Sequence, residues 1–132
     1  MTKPALYYYF SSKADLYQAL LDRAHDERFR LMQAAVARGK DLPGKLEELL
    51  NAHFEFLQSH RELLGLVYAT AFAARGEMPK EIRYLDKCQR NFGLVRDLIR
   101  EGQRAGQLTR SFDVEHLARG IFGMMNIHVQ AE

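Results

Sequence analysis

Apolar residues recur every three or four positions along most of the chain, which is the period of an α-helix with one buried face. The strict alternation of apolar and polar residues that is typical of strands is absent. Glycine and proline lie mainly near the ends of the periodic segments. The pattern therefore predicts an all-α fold, a helical bundle of about six segments.

The first two segments are separated by a pair of serines. A short helix is expected over residues 3–9, with Thr2 as its N-cap. Ser12 and Asp15 have the spacing of a capping box, so a long helix is predicted from there to just before Gly39. Its expected apolar stripe consists of Leu16, Leu20, Ala24, Leu31 and Ala35.

A turn over residues 39–43 is expected to lead into the third segment, which has apolar residues at helical spacing from Leu46 to Leu57. Ser59 and Glu62 then form the pattern of a capping box and predict a fourth helix over 61–74. Nearly every side of that helix is apolar, so we expect it in the middle of the bundle.

The last two segments are delimited by proline, glycine and a polar cap. Pro79 is expected to begin the fifth, and Ser111 or Asp113 to cap the sixth. The predicted buried face of the fifth consists of Ile82, Leu85, Phe92, Val95 and Ile99. That of the sixth consists of Leu117, Ile121, Met124, Met125 and His128.

Composition narrows the class of protein. A chain of 132 residues fits one domain, and its apolar runs are too short to cross a bilayer. The single cysteine, Cys88, cannot form an intrachain disulfide, and there is no secretion signal at the start, so a cytoplasmic location is predicted. A net charge of +2 does not by itself indicate a nucleic-acid partner, so any DNA-binding claim depends on local residues.

No pattern of catalytic or metal-binding residues is present. His53 and His60 are seven residues apart, but no cysteine or carboxylate set completes a known metal-ligand spacing. Nucleophile elbows and phosphate-cradling glycine loops are also absent. We therefore expect no enzymatic activity, no metal and no cofactor. His25, His116 and His128 are expected at helix surfaces or partly buried.

Basic and acidic residues interleave along the long helix. Such alternation is typical of ion pairs on a solvated helix face and not of a second DNA-binding surface. The basic members are Arg23, Arg28, Arg30 and Arg38.

The segment from Thr2 to Leu16, TKPALYYYFSSKADL, closely resembles the signature of the TetR family of transcriptional regulators. A small residue is followed by Leu-Tyr, an aromatic pair, Phe, Ser, and then Lys and Leu. In that family the signature spans the end of a helix-turn-helix and the start of the following long helix. The resemblance implies a TetR C-terminal effector domain over 13–132, for ligand binding and dimerisation. Residues 1–12 would be a remnant of the DNA-binding domain, its recognition helix.

The chemistry of the signature fits DNA recognition. Leu6 and Phe10 share one face and would hold the helix, while Lys3 and Tyr7 would face double-stranded operator DNA. By resemblance, the DNA-contacting residues are Thr2, Lys3, Tyr7, Tyr8, Tyr9 and Lys13. The alternative is that the tyrosines pack in the core, but three in succession cannot all face inward on one helix.

The family has two further helices before the signature and another long helix after the sixth segment. The resemblance therefore implies a longer parent protein that binds DNA as a homodimer, whereas these 132 residues alone should bind DNA poorly.

The family also has a small-molecule pocket between the central helices. A bound effector shifts the long helix, so that the two recognition helices of a dimer no longer fit major grooves about 34 Å apart. An apolar and aromatic lining suits a lipophilic or aromatic ligand, with His53 and Tyr68 as polar contacts; ordinary core packing is the alternative for each residue. The predicted lining is His53, Phe54, Leu57, Leu64, Tyr68, Phe72, Phe92, Val95 and Met125.

The sequence therefore predicts a repressor that a small effector releases from DNA, with no membrane association. One alternative is a helical ligand-binding or interaction module that does not contact DNA. A small helical enzyme is the other, and it would need a convergent polar pocket.

Overall fold

The computed structural model describes the backbone of residues 13–65, 83 and 85–131 and the side chains of residues 14–65, 83 and 85–126. Within them lie four helices, α1 (Lys13–Arg38), α2 (Leu42–Ser59), α3 (Leu85–Arg104) and α4 (Val114–Ala131), and residues 61–65 are also helical. No strand occurs in these ranges. The predicted all-α fold is confirmed. The expected first helix, most of the expected fourth and the start of the fifth at Pro79 lie outside the described residues.

The junction between α1 and α2 is shorter than predicted. Asp41 is the N-cap of α2, because its side chain accepts a hydrogen bond of 2.9 Å from the backbone N–H of Gly44. Pro43 lies in the first turn, where a missing N–H leaves no intrahelical bond unmade. The turn therefore ends at Asp41, and Leu42 already belongs to the helix and is buried.

The capping box predicted at Ser59 is wrong. Ser59 is the last residue of α2, and its hydroxyl donates a hydrogen bond of 2.9 Å back to the carbonyl of Glu55. His60 separates α2 from the helical residues 61–65, and its carbonyl accepts from the N–H of Leu64. The serine of this Ser–x–x–Glu pattern therefore bonds to the last turn of the preceding helix and does not cap the next one.

The loop between α3 and α4 is closed by a glycine and an aspartate. Gly106 has φ +77°, a left-handed conformation that is strained for other residues. Asp113 caps α4, because its carboxylate accepts from the N–H of His116 at 3.1 Å. Of the two caps predicted for this helix, the structure uses Asp113.

The main core lies between all four helices. It consists of Met32, Leu42, Leu49, Val95, Leu98, Ala118 and Met125. Leu85 and Met124, which were assigned to buried faces, are exposed instead, so those two predictions are wrong. None of the described helices is long and apolar enough to cross a membrane.

The buried face of α1 differs from the predicted stripe. Leu16, Leu20 and Leu31 are only half-buried, although Ala24 and Ala35 are buried as expected. The buried residues of α1 are Leu21, Ala24, His25, Arg28, Met32 and Ala35. The helix therefore carries two polar side chains on the face that packs against its neighbours.

Candidate ligand-binding site

Four of the predicted pocket residues lie close together in the core. Val95 of α3 and Met125 of α4 belong to the main core, and Phe92 packs against it. His53 of α2 is buried, and its Nε2 donates a hydrogen bond of 2.7 Å to the backbone oxygen of Met125. The structure thus brings α2, α3 and α4 together around these four residues.

The remaining predicted pocket residues are placed differently. Leu57 and Leu64 are buried in a separate cluster with Phe56. Phe54 is 37% exposed and lies on the outer face of α2, so it does not share the buried face of the others. Tyr68 and Phe72 lie outside the described residues.

The predicted DNA-contacting positions are also outside the part that the structure describes. They are Thr2, Lys3, Tyr7, Tyr8, Tyr9 and the side chain of Lys13.

A polar cluster, called here the buried polar cluster, lies where α1, α3 and α4 meet. It consists of the buried residues His25, Arg28 and Asn91 and the half-buried Asn126. Arg28 is 5% exposed, and its Nη2 donates to Oδ1 of Asn126 at 2.9 Å. The guanidinium carbon lies 4.9 Å from the centre of the Phe122 ring, in cation–π geometry. Asn91 is fully buried, and its Nδ2 approaches the backbone oxygen of His25 at 3.4 Å.

The prediction that Arg28 lies on a solvated helix face is wrong. Arg30 does pair locally with Glu27 at 2.7 Å, and Arg38 pairs with Glu48 of α2 at 3.0 Å. Arg28 instead occupies the buried face, three residues after His25 and four before Met32. The prediction that His25 is at the surface or partly buried is wrong for the same reason.

The electrostatics around His25 favour a neutral imidazole. Burial, followed by the nearby cations Arg28, Arg90 and Lys87, lowers its pKa from 6.5 to about 4, while Asp22 opposes them. Its Nε2 lies 3.7 Å from the sulfur of Cys88. Burial raises the pKa of the Cys88 thiol, with Arg28 opposing, so this cysteine stays protonated and is not an activated nucleophile.

Ion pairs between α1 and α3 border the buried polar cluster. Asp26 accepts from Lys87 at 2.8 Å and from Arg90 at 3.0 Å, and the Lys87 hydrogen bond is the main cause of its lowered pKa. The Arg90 guanidinium lies 4.2 Å above the Phe29 ring. These contacts connect α1 and α3 beside the cluster.

An open groove of about 570 Å³ runs along the outer side of α1 and α3. It is lined by apolar residues such as Phe29, Val36 and Leu94, together with charged residues such as Lys45 and Glu101. None of the predicted pocket residues lines it. The groove is therefore a different surface from the one that the sequence indicated.

The structure brings together polar residues that the sequence-based interpretation missed. Arg28 and Asn91 were passed over because a polar residue on a helix is more often solvated. A signal was nevertheless present in the spacing. Arg28 falls between Leu21 and Ala35 at the helical period, and Asn91 falls four residues before Val95.

The side chains of the cluster do not form a set of metal ligands. Among the described residues, no group of three or more histidine, cysteine, aspartate or glutamate side chains could hold a metal ion. The side chains present can donate and accept hydrogen bonds and can attract a negative charge.

Comparison with known proteins identifies the family. Residues 39–130 match the family described as "Tetracyclin repressor-like, C-terminal domain". The chain belongs to the TetR family of transcriptional regulators. The match covers α2, α3 and most of α4, so the TetR resemblance of the first residues is confirmed by an independent part of the chain.

One curated relative is named as a regulator of transcription. The chain is 25% identical over 83 residues to the "HTH-type transcriptional activator FasR" of Mycolicibacterium smegmatis. That alignment covers 63% of this chain and 38% of FasR, so the chain spans well under half of this relative.

Two solved structures share the fold. A protein of unknown function from Rhodococcus sp. RHA1 superposes with a TM-score of 0.80 and 20% identity, over 98% of this chain and 65% of that one. The fatty acid degradation regulator FadR from Bacillus halodurans superposes with a TM-score of 0.76 and 20% identity, over 99% of this chain and 69% of FadR. At this identity the likeness shows the fold alone.

Proposed function

We propose that this protein is a DNA-binding transcriptional repressor, and that a small lipophilic or aromatic effector releases it from its operator. The match of residues 39–130 to the TetR C-terminal domain carries the proposal. The similarity to FasR, which is named as an HTH-type transcriptional activator, supports the DNA-binding part.

In this proposal the two parts of the chain have different tasks. Residues 1–12 supply the recognition helix, whose DNA contacts would be made by the residues named in the sequence analysis, from Thr2 to Lys13. Residues 13–132 bind the effector and dimerise. The protein would act in the cytoplasm as a homodimer on double-stranded operator DNA.

The effector would bind beside the buried face of α1. That helix extends from Lys13, next to the DNA-recognition segment, to Arg38 in the effector domain, so a displacement of its buried face would reach the recognition helix. We assign His53, Leu57, Leu64, Phe92, Val95 and Met125 to the lining, together with Tyr68 and Phe72 from the sequence. Phe54 is left out because its side chain lies on the exposed face.

Fluorescence anisotropy tests the DNA-binding part. The whole gene product would be titrated onto labelled DNA from its own promoter at two salt concentrations, with a shuffled sequence as the control. We expect tight and selective binding that weakens steeply as salt rises, because bound lysines and arginines displace counterions from phosphates. Equal affinity for promoter and shuffled DNA at both salt concentrations would favour the ligand-binding module without DNA recognition.

A reporter assay tests the direction of regulation. Deletion of the gene should raise transcription from the bound promoter if the protein is a repressor. A fall in transcription would instead indicate an activator, the role for which FasR is named.

A further inference from the structure

The buried polar cluster contains a charge in the interior of the domain. Arg28 contacts the amide oxygen of Asn126 and the face of Phe122, both on α4. A guanidinium presents five N–H donors in a planar fork that matches the two oxygens of a carboxylate. Arginine is therefore well suited to bind an acid in such a place.

The cluster also has unused hydrogen-bonding capacity. Oδ1 of Asn91 and Nδ1 of His25 are buried, and neither has a hydrogen-bond partner among the residues that the structure describes. The two residues face each other across α1 and α3, since Nδ2 of Asn91 approaches the backbone oxygen of His25. Buried polar atoms are nearly always paired, so these two unpartnered atoms on neighbouring residues could each bond to a polar group of a ligand.

The charges around the cluster favour an anion. Arg28, Arg90 and Lys87 all act on His25 as positive charges, and Asp22 is the carboxylate that opposes them. Lys87 and Arg90 are paired with Asp26 at the border of the cluster, so Arg28 is the cation within it. Its guanidinium would attract a carboxylate and repel a cationic group.

The surroundings of the cluster are apolar. Leu21 and Ala24 precede the polar residues on the same face of α1, and Met125 adjoins Asn126 on α4; all three are buried. A ligand whose acidic end is at the cluster would place its remaining surface among hydrocarbon groups, which favours an amphipathic molecule.

We infer that the effector is a small carboxylic acid with an apolar body, and that Arg28 binds its carboxylate. Asn91 Oδ1 is an acceptor, so it would take a hydrogen from a hydroxyl or amide group of the same ligand. The inference rests on the proposed function, in which this domain binds a lipophilic effector, and it adds the chemical class and the anchoring residue.

Isothermal titration calorimetry with matched probes tests the inference on the 132-residue chain. One series is octanoate, 1-octanol and octylamine, and the other is 2-naphthoate and 2-naphthylmethanol. In at least one series we expect the acid to bind ten times more tightly than its alcohol, and we expect octylamine to bind more weakly than 1-octanol. Arg28→Met should abolish the preference for the acid, whereas Arg28→Lys should keep part of it. Arg96→Met is the matched control, because it removes another cation of the same domain, one that pairs with Asp97 and Glu115 outside the cluster. This variant should keep the full preference for the acid.

The outcomes separate the two proposals. If the alcohols bind the wild-type chain as tightly as the acids, the inference is overturned, while a lipophilic effector stands. This comparison needs no variant, so it holds even if Arg28→Met does not fold. An acid preference that persists in a folded Arg28→Met would also overturn the role of Arg28. If none of the five probes binds, the lipophilic effector itself is contradicted, and the inference with it.

Discussion

His53 Nε2 lies 2.7 Å from the backbone oxygen of Met125, so a buried imidazole of α2 donates a hydrogen bond to a carbonyl of α4. The two residues are 72 positions apart in the chain. This bond joins two helices in the core and sets the orientation of the His53 ring among the predicted pocket residues. His53 therefore has a structural role that is independent of any ligand.

We expect His53→Leu to destabilise the fold. The substitution removes the buried hydrogen bond and leaves the Met125 carbonyl without this donor, which costs about 1–3 kcal/mol in the free energy of unfolding. Urea unfolding followed by circular dichroism measures it. His116→Leu is the control, because that side chain is 85% exposed on α4. Equal stability of the two variants would contradict the role assigned to His53.

Stability should fall on acidification because of His25. Its pKa is lowered from 6.5 to about 4 in the folded protein. Between these pH values His25 binds a proton in the unfolded chain but not in the folded one. The stabilisation that neutral His25 gives the fold is therefore complete above pH 6.5 and is lost as the pH falls towards 4. One pKa unit corresponds to about 1.4 kcal/mol, so the loss amounts to about 3 kcal/mol.

Urea unfolding at a series of pH values from 7.5 to 4 measures the free energy of unfolding across the range in which His25 titrates and so checks this expectation. Carboxylates titrate at the lower end too, so the informative quantity is the difference from His25→Gln. That variant should lose less stability than the wild type over this range. Parallel pH profiles for the two proteins would rule out the neutral, buried state of His25.

Gly102 of α3 lies against Leu42 at the start of α2. A methyl group at this glycine would come 2.7 Å from Cδ2 of Leu42, which is too close for carbon atoms. Gly102→Ala should therefore lower stability, because overpacking costs about 1–3 kcal/mol. Gly93→Ala, in the same helix, has no contact closer than 3.4 Å and should raise stability by up to about 1 kcal/mol. Thermal melts of both variants measure this, and opposite signs are the expected result.

The ion pairs of Asp26 should contribute little. Asp26 contacts Lys87 and Arg90, but its side chain is 52% exposed, and exposed pairs contribute about 0.2–1 kcal/mol. Asp26→Asn should cost no more than this at low salt, and less at high salt because the charges are screened. Urea unfolding at two salt concentrations measures it. A loss of several kcal/mol that persists at high salt would show that the pair acts as a buried one.

Lys3 and Lys13 should affect DNA binding and not folding. In the whole gene product, each lysine-to-alanine substitution should weaken promoter affinity and reduce the salt dependence of binding by about one phosphate contact. Anisotropy at several salt concentrations measures both effects, and the thermal melt of each variant is the control for folding. Unchanged affinity in both variants would remove the main support for the assigned DNA contacts.

Much of the fold was predictable from local pattern. The long helix extends from Lys13 to Arg38 as predicted, because the helical period of its apolar residues continues unbroken up to Gly39. Asp113 caps α4 as one of the two predicted residues. The capping pattern at Ser59 failed, since a hydroxyl at a helix end can bond to either the preceding turn or the next one.

The candidate site was only partly predictable. His53, Val95 and Met125 were found because buried residues at helical spacing point to one face. Arg28 and Asn91 were not found, although they lie on the buried faces of α1 and α3. Their polar side chains predicted exposure, whereas their helical spacing predicted burial, and the spacing was correct.

The sequence by itself determined the helical class, the bounds of α1 and the relation to TetR regulators, because periodicity, caps and a short signature are properties of neighbouring residues. Only the tertiary structure decided that Arg28 turns inward. Its partner Asn126 is 98 positions away, and whether a buried guanidinium is tolerated depends on the amide and the ring that another helix presents to it. Local spacing can place a polar residue on a face, but the free energy of burying it is set by the groups it meets there.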